Sequence, residues 1–127
     1  MRRLTNSQVK EVRNAQIIQQ GGKCAICGLP GVANDPVLDH SHTTGAVRGT
    51  AHRSCNALLG KIENNHARFG VKAANLPAFL HGVAKYLQIH QTNITGLLHP
   101  THLTDDEKRI KRNKQAVKRR AEKRKTA

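Results

Sequence analysis

A chain of 127 residues is long enough for one domain, and a short one once its charged end is set aside. Phe69, Phe79 and Tyr86 are its only aromatics and it has no Trp, which excludes a fold held by hydrophobic burial alone and favours a metal, disulfides or a partner chain. A formal charge of +14 makes a polyanion the expected partner, because each phosphate neutralised by Lys or Arg releases condensed counterions, and the basic segments lack the bulky apolar face of a membrane binder.

Three cysteines suit a disulfide framework poorly and suit three thiolates plus one histidine well. No apolar leader follows Met1–Asn6, and no run approaches the roughly 18 apolar residues of a membrane span. The expected setting is a reducing cytoplasm.

Thr5-Asn6-Ser7-Gln8 has the spacing of a capping box and predicts a helix running to about Gln20, with Val9, Val12 and Ile17 as its apolar stripe and Gly21-Gly22 as its stop. Cys24-x-x-Cys27 follows at once. Its spacing lets one tight turn present two sulfurs to one ion, with Gly28 relieving the backbone. The same pair could be redox-active, but Gly28-Leu29-Pro30-Gly31 offers no strand-to-helix context for that. The matching half is His52-x-x-Cys55, separated from Cys27 by 24 residues. Cys24, Cys27, His52 and Cys55 are therefore the candidate ligands of a structural zinc.

Between these knuckles, Pro36–His40 reads as a short strand, His42-Thr43-Thr44-Gly45 as a turn, and Ala46–Gly49 as a return strand. Asn56–Glu63 then reads as a helix. Strand, loop, strand and helix around a metal form a ββα-metal unit that can supply each requirement of phosphodiester hydrolysis. His40, at a strand end, titrates near working pH and suits a general base. Asp39 and Asn56 offer hard oxygens suited to Mg²⁺, for which Mn²⁺ can substitute. Arg48 can grip a phosphate oxygen pair, and His42 is a second candidate for the base or a phosphate contact. Each of these residues alone is more often ordinary: a loop histidine is usually solvated, and Asn after a ligand Cys can simply cap a helix. A purely structural zinc ribbon, however, has no need of Asp-His-x-His at a strand end.

Farther on, Asn64–Gly70 reads as a loop. Leu76-Pro77 starts a helix whose Leu76, Leu80, Val83 and Leu87 share a face, the usual mark of core or subunit contacts. Leu103-Thr104-Asp105-Asp106-Glu107 is another helix start. Residues 105–127 hold 11 of the chain's 22 Lys and Arg against four acids. This tail, with Lys108, Arg109, Lys111, Arg112, Lys118, Arg119 and Arg120, is expected to contact DNA phosphates, to be partly disordered alone and to become helical on DNA.

Cys24-x-x-Cys27, Leu38-Asp39-His40-Ser41-His42, Thr44–Gly49 and Cys55-Asn56-x-x-x-Gly60 resemble the recombination endonuclease VII family of tailed phages, His-Me finger (HNH-type) nucleases that resolve Holliday junctions and other branched DNA. The motifs span residues 20–62, with a looser similarity through Tyr86 and Leu98-His99-Pro100. The resemblance implies that Asp39 and Asn56 bind the catalytic Mg²⁺, that His40 is the general base with His42 as helper, and that helices beyond the zinc site interlock a homodimer. Two positions depart from the family pattern: His52 stands where Cys is usual, and Leu59 where an acid can occur, with Glu63 one turn further on.

The expected fold is mainly α with a small β-hairpin: an N-terminal helix (1–22), a zinc-bound ββα-metal core (23–65), a helical dimerisation region (66–103) and a basic DNA-binding tail (104–127). The expected function is a Mg²⁺-dependent DNA endonuclease acting on branched or distorted DNA. The alternatives are an HNH nicking or homing-type endonuclease on duplex DNA and a non-catalytic zinc-ribbon DNA-binding protein.

Overall fold

Thr5 and Gln8 begin the first helix as their spacing predicts, the Gln8 side chain accepting from the Thr5 N–H at 3.0 Å. In the computed structural model, which describes residues 1–127, this helix (α1) covers Asn6–Gln19. Gly21 and Gly22, at φ of +65° and +74°, turn the chain out of it. Two strands follow, β1 (Pro36–His40) and β2 (Val47–His52), paired antiparallel, and then three helices: α2 (Arg53–Asn65), α3 (Leu76–Ile89) and α4 (Asp105–Thr126). The fold is mainly helical with one two-stranded hairpin, and α2 packs on both strands.

The chain divides into two units, Met1–His81 and Gly82–Ala127, with the boundary inside α3. In the first, the fully buried apolar residues are Cys24, Val32 and Ala51, with Ile17 and Cys55 packed against them. Such a core is too small to hold a fold by burial alone. Polar bonds supplement it. Buried Thr50 on β2 donates its N–H to the Gln20 side chain at 3.0 Å and its hydroxyl to Gln16 at 2.9 Å, while the Gln20 amide returns a bond to the Thr50 carbonyl at 2.8 Å. These bonds tie the end of α1 to the strand edge that β1 leaves unpaired.

Three segments differ from the sequence reading. The return strand runs on to His52, because Leu38, Val37 and Pro36 of β1 pair with Thr50, Ala51 and His52, a pairing no local propensity announces. α2 begins at Arg53, so that Cys55 and Asn56 lie in its first turns, and it continues to Asn65, where a 3₁₀ turn over His66–Phe69 replaces the expected loop. In the second unit, α4 is helical through Thr126 although partial disorder was expected. Thr104 accepts from the Glu107 N–H at 3.3 Å, and Asp105, Asp106 and Glu107 at one end with Lys123, Arg124 and Lys125 at the other complement the helix dipole. Leu76, Leu80 and Val83 of α3 are half-buried, whereas Leu87 is exposed. No helix is long and apolar enough to cross a membrane.

Gly49 illustrates how closely the first unit packs: a Cβ there would meet the Ala25 Cβ at 2.8 Å, whereas one at Gly60 in α2 would meet nothing within 4 Å. Gly49→Ala should therefore destabilise the protein by about 1–3 kcal/mol through overpacking. Gly60→Ala should be neutral or stabilise it by up to about 1 kcal/mol. Urea unfolding of the zinc-loaded proteins measures both.

Candidate functional site

The two knuckles come together. The ligand atoms of Cys24, Cys27, His52 and Cys55 all lie within 4.8 Å of one another, close enough to converge on a single tetrahedral ion. In the first knuckle, the Gly28 N–H closes a turn on the Cys24 carbonyl, and the Ile26 N–H points at the Cys24 sulfur at 3.4 Å. The second knuckle sits where β2 meets α2: His52 is the N-cap residue and Cys55 lies one turn on. The His52 N–H also donates to the Cys24 sulfur, at 3.3 Å.

The fit extends to the imidazole. His52 Nε2 lies 3.2 Å from the Pro30 carbonyl, which can only accept, so the ring proton sits there and the Nδ1 lone pair faces the sulfurs of Cys27 at 3.4 Å and Cys55 at 3.8 Å. Burial pushes the Cys24 thiol up, but backbone N–H groups of Cys27, His52 and Ile26 outweigh it and bring the thiol down to about 6. Cys55 moves the other way, raised to about 11 by burial and by the neighbouring sulfurs of Cys27 and Cys24. Three sulfurs and an imidazole nitrogen crowded this closely suit a divalent cation. The four residues form a Cys₃His zinc-binding cluster.

The acid and histidine residues lie at the far end of the hairpin. Asp39, 8% exposed, and His40, exposed, are the last residues of β1. The His42 ring is centred 5.2 Å from that of His40. Asn56 is half-buried in the first turns of α2. The pairing slips between Asp39, which faces Gly49, and His40, which faces Val47, leaving Arg48 as an extra residue on β2. Such a bulge re-aims a side chain, and Arg48 is turned onto Asp39.

Arg48 is accordingly not free for a phosphate in this state. Its Nε and Nη2 donate to the two Asp39 oxygens at 2.7 and 3.2 Å, and its Nη2 and Nη1 donate to the two Glu63 oxygens at 2.8 and 3.1 Å. Hydrogen bonds to Glu63 and then to Asp39 hold the guanidinium still more firmly protonated, and Arg48 in turn holds Glu63 below the ordinary carboxylate range. His42, Arg48 and Glu63 line a groove of about 490 Å³, with Leu59, Leu76 and Leu80 as its apolar side. For a divalent ion, the relevant observation is that the Asp39 carboxylate already carries a cation on both oxygens. Asp39 and Asn56 each offer a hard oxygen, the donor type that Mg²⁺ takes.

Sequence reasoning noted Glu63 only as a substitute for an acid missing at Leu59 and did not pair it with Arg48. The available signal was that Asp39 and Glu63 are the only acids between Pro36 and Thr104. In the second unit, Lys108 and Arg109 pair with Asp105 at 3.9 Å and Asp106 at 3.0 Å, whereas Lys111, Arg112, Lys118, Arg119 and Arg120 are exposed along α4 and form no ion pair.

The model of one protein family, described as recombination endonuclease VII, matches residues 1–89. No curated protein matches the chain.

Removing zinc by a chelator, or replacing Cys24 by Ser, should unfold the first unit. The zinc contribution of such sites, apparently about 10–16 kcal/mol, is as large as the whole stability of a small domain. Loss of far-UV circular dichroism together with zinc content checks this. Because Glu63 is lowered from its ordinary 4.5 by Arg48, its stabilisation is present above that value and vanishes as pH falls through the lower folded one. The parent should exceed Glu63→Gln by about 1 kcal/mol or less at neutral pH, a gap that narrows as pH falls below 4.5 in thermal unfolding.

Proposed function

The chain belongs to the recombination endonuclease VII family, and from that membership we propose that it hydrolyses phosphodiester bonds in branched or distorted DNA by the chemistry of a His-Me finger (HNH-type) nuclease. The observation that carries the chemical reading is the contrast at the end of β1: Asp39 is nearly buried with a cation on it, and the next residue, His40, is open to solvent. A buried acid suits cation holding. An exposed imidazole suits taking a proton from water.

In this reading Asp39 and Asn56 would hold Mg²⁺, with Mn²⁺ able to substitute. The bound ion would supply charge stabilisation at the scissile phosphate and the leaving oxygen. His40 takes the proton of the attacking water at its exposed ring. His42, at the mouth of the groove shared with Arg48, contacts the phosphate or supports His40. Arg48 contributes a phosphate contact once Asp39 releases its Nε/Nη2 edge. The zinc cluster does no chemistry, and holds the hairpin's strands and the start of α2 in register so that these groups are presented together.

The basic α4 contacts DNA phosphates without reading bases, which fits charges spread along a helix in place of a recognition face. We also propose that two copies pair, so that two sites can cut opposed strands. An exposed apolar groove of about 460 Å³ supports this, with Phe69 82% and Phe79 51% exposed beside Ile62, Val71 and Leu76. The corresponding parts of the chain are the N-terminal helix (1–22), the zinc-bound catalytic core (23–65), the pairing region (66–103) and the DNA-binding tail (104–127).

The protein with Mg²⁺ should cut a synthetic four-way junction faster than nicked or plain duplex. His40→Ala should lower single-turnover cleavage by about 10²–10⁴-fold, the usual worth of general base catalysis, with junction binding unchanged. Equal cutting by His40→Ala would remove the mechanism. Preference for plain duplex would leave a nickase, and binding without cleavage a zinc-ribbon DNA-binding protein. Removing residues 104–127 should weaken binding to every DNA substrate alike and flatten its dependence on salt, as filter binding across a salt series would show.

A further inference from the structure

Five N–H groups are available on a guanidinium, and on Arg48 four of them are committed, two to Asp39 and two to Glu63. The single N–H that remains cannot clamp a phosphate. The two donors that a phosphate clamp would use, on Nε and Nη2, are the pair that now holds Asp39. Glu63 grips the other edge. Its carboxylate does not gather with Asp39, His40 or His42 into a group of metal-ligating atoms, a convergence found only at the Cys₃His cluster. Both Glu63 oxygens accept from the arginine.

We propose that Arg48 is the resident cation of Asp39 in the metal-free protein, and that Glu63 is a positioning residue that retains Arg48 by its Nη1/Nη2 edge when a divalent ion is bound at Asp39. This rests on the reading that Asp39 holds the catalytic ion. Arg48, released from Asp39 but tethered through Glu63, then has Nε and Nη2 free as a fork whose spacing matches two phosphate oxygens. Two exchanges are linked: Asp39 trades a guanidinium for the ion, and the guanidinium trades a carboxylate for a phosphate. Ion and DNA each draw the equilibrium toward the same state, so each raises the affinity of the other by the same factor.

Tethering also explains why the partner of Arg48 is a second carboxylate. Without Glu63, a displaced Arg48 would move into solvent, and every phosphate contact would have to order a long, free side chain. With Glu63, one edge stays fixed and only the other changes partner. The bulge at Arg48 leaves that side chain outside the regular alternation of β2, where the groove formed with His42 and Glu63 gives it room.

Binding of Mn²⁺, followed by electron paramagnetic resonance of the free ion, tests this in zinc-loaded, full-length protein carrying His40→Ala to prevent cleavage, with and without a four-way junction. Adding junction should tighten Mn²⁺ binding on the order of tenfold. Arg48→Gln should bind Mn²⁺ tighter than its parent without DNA, by a similar factor, and lose the effect of DNA. Glu63→Gln should keep the weak binding without DNA but lose most of the coupling. Zinc content equal to the parent's certifies that each variant is folded, and Arg48→Lys, which keeps the charge without the fork, should fall between parent and Arg48→Gln. If Arg48→Gln binds Mn²⁺ no tighter than the parent while Asp39→Asn abolishes binding, the competition is wrong and the ion site stands. If Asp39→Asn binds Mn²⁺ as the parent does, both the proposal and the reading beneath it fall.

Discussion

Everything in the first unit depends on the convergence of Cys24, Cys27, His52 and Cys55. The residues that a fold of this size would normally stack into a core are here reduced to Cys24, Val32 and Ala51, and one of those is itself a ligand. Cross-linking residues 24–27 to 52–55 closes a loop that contains the whole hairpin, and so fixes the relation of β1, β2 and the start of α2 at the same time. A hairpin of two strands alone would be marginal in water. With its ends converging on the Cys₃His cluster and the outer edge of β2 held by Gln16 and Gln20, it needs little burial.

The same strand serves four purposes within six residues. Arg48 leaves the sheet to meet the acids, Gly49 lets the first knuckle approach, Thr50 and Ala51 fill the core, and His52 completes the metal cluster. Alternation along a strand cannot deliver all of these, because successive side chains would face opposite sides. The slip in register between Asp39 and His40 resolves the conflict by inserting one residue at Arg48. Local irregularity at this point is thus a condition of combining a core strand with a charged site.

Legibility in the sequence followed the range of the interaction. Cys-x-x-Cys and His-x-x-Cys were readable because each is a local turn with a ligand count, and Pro36–His40 because its apolar run stops at Asp39-His40. The capping residues Thr5 and Thr104 placed two helix starts to within a residue. The extension of β2 to His52 and the start of α2 at Arg53 were not readable, since Thr50-Ala51-His52 is a strand only through its pairing with β1. Nor could spacing show that Arg48 and Glu63, fifteen residues apart and on different elements, would share two hydrogen bonds. In α4 acidic residues in the first turn and basic ones in the last complement the dipole of a helix whose middle is crowded with like charges.

Charge distribution gives the acidic residues a significance that their number hides. In a protein of formal charge +14, the stretch between Pro36 and Thr104 contains two acids, and both lie against one arginine. As a source of stability the arrangement is modest, since Arg48 is over a third exposed and partly solvated pairs contribute little. Its consequence is electrostatic and local. Two bare carboxylates would repel an approaching phosphate at the point where the remainder of the protein attracts it, whereas a carboxylate pair bridged by a guanidinium presents a net charge of only −1. A phosphate can approach that group, and on the proposed reading a divalent ion at Asp39 would reverse its sign. The basic surface and the acidic site are therefore compatible only because Arg48 stands between them, which makes the bulge that places it there as much a part of the site as the histidines beside it.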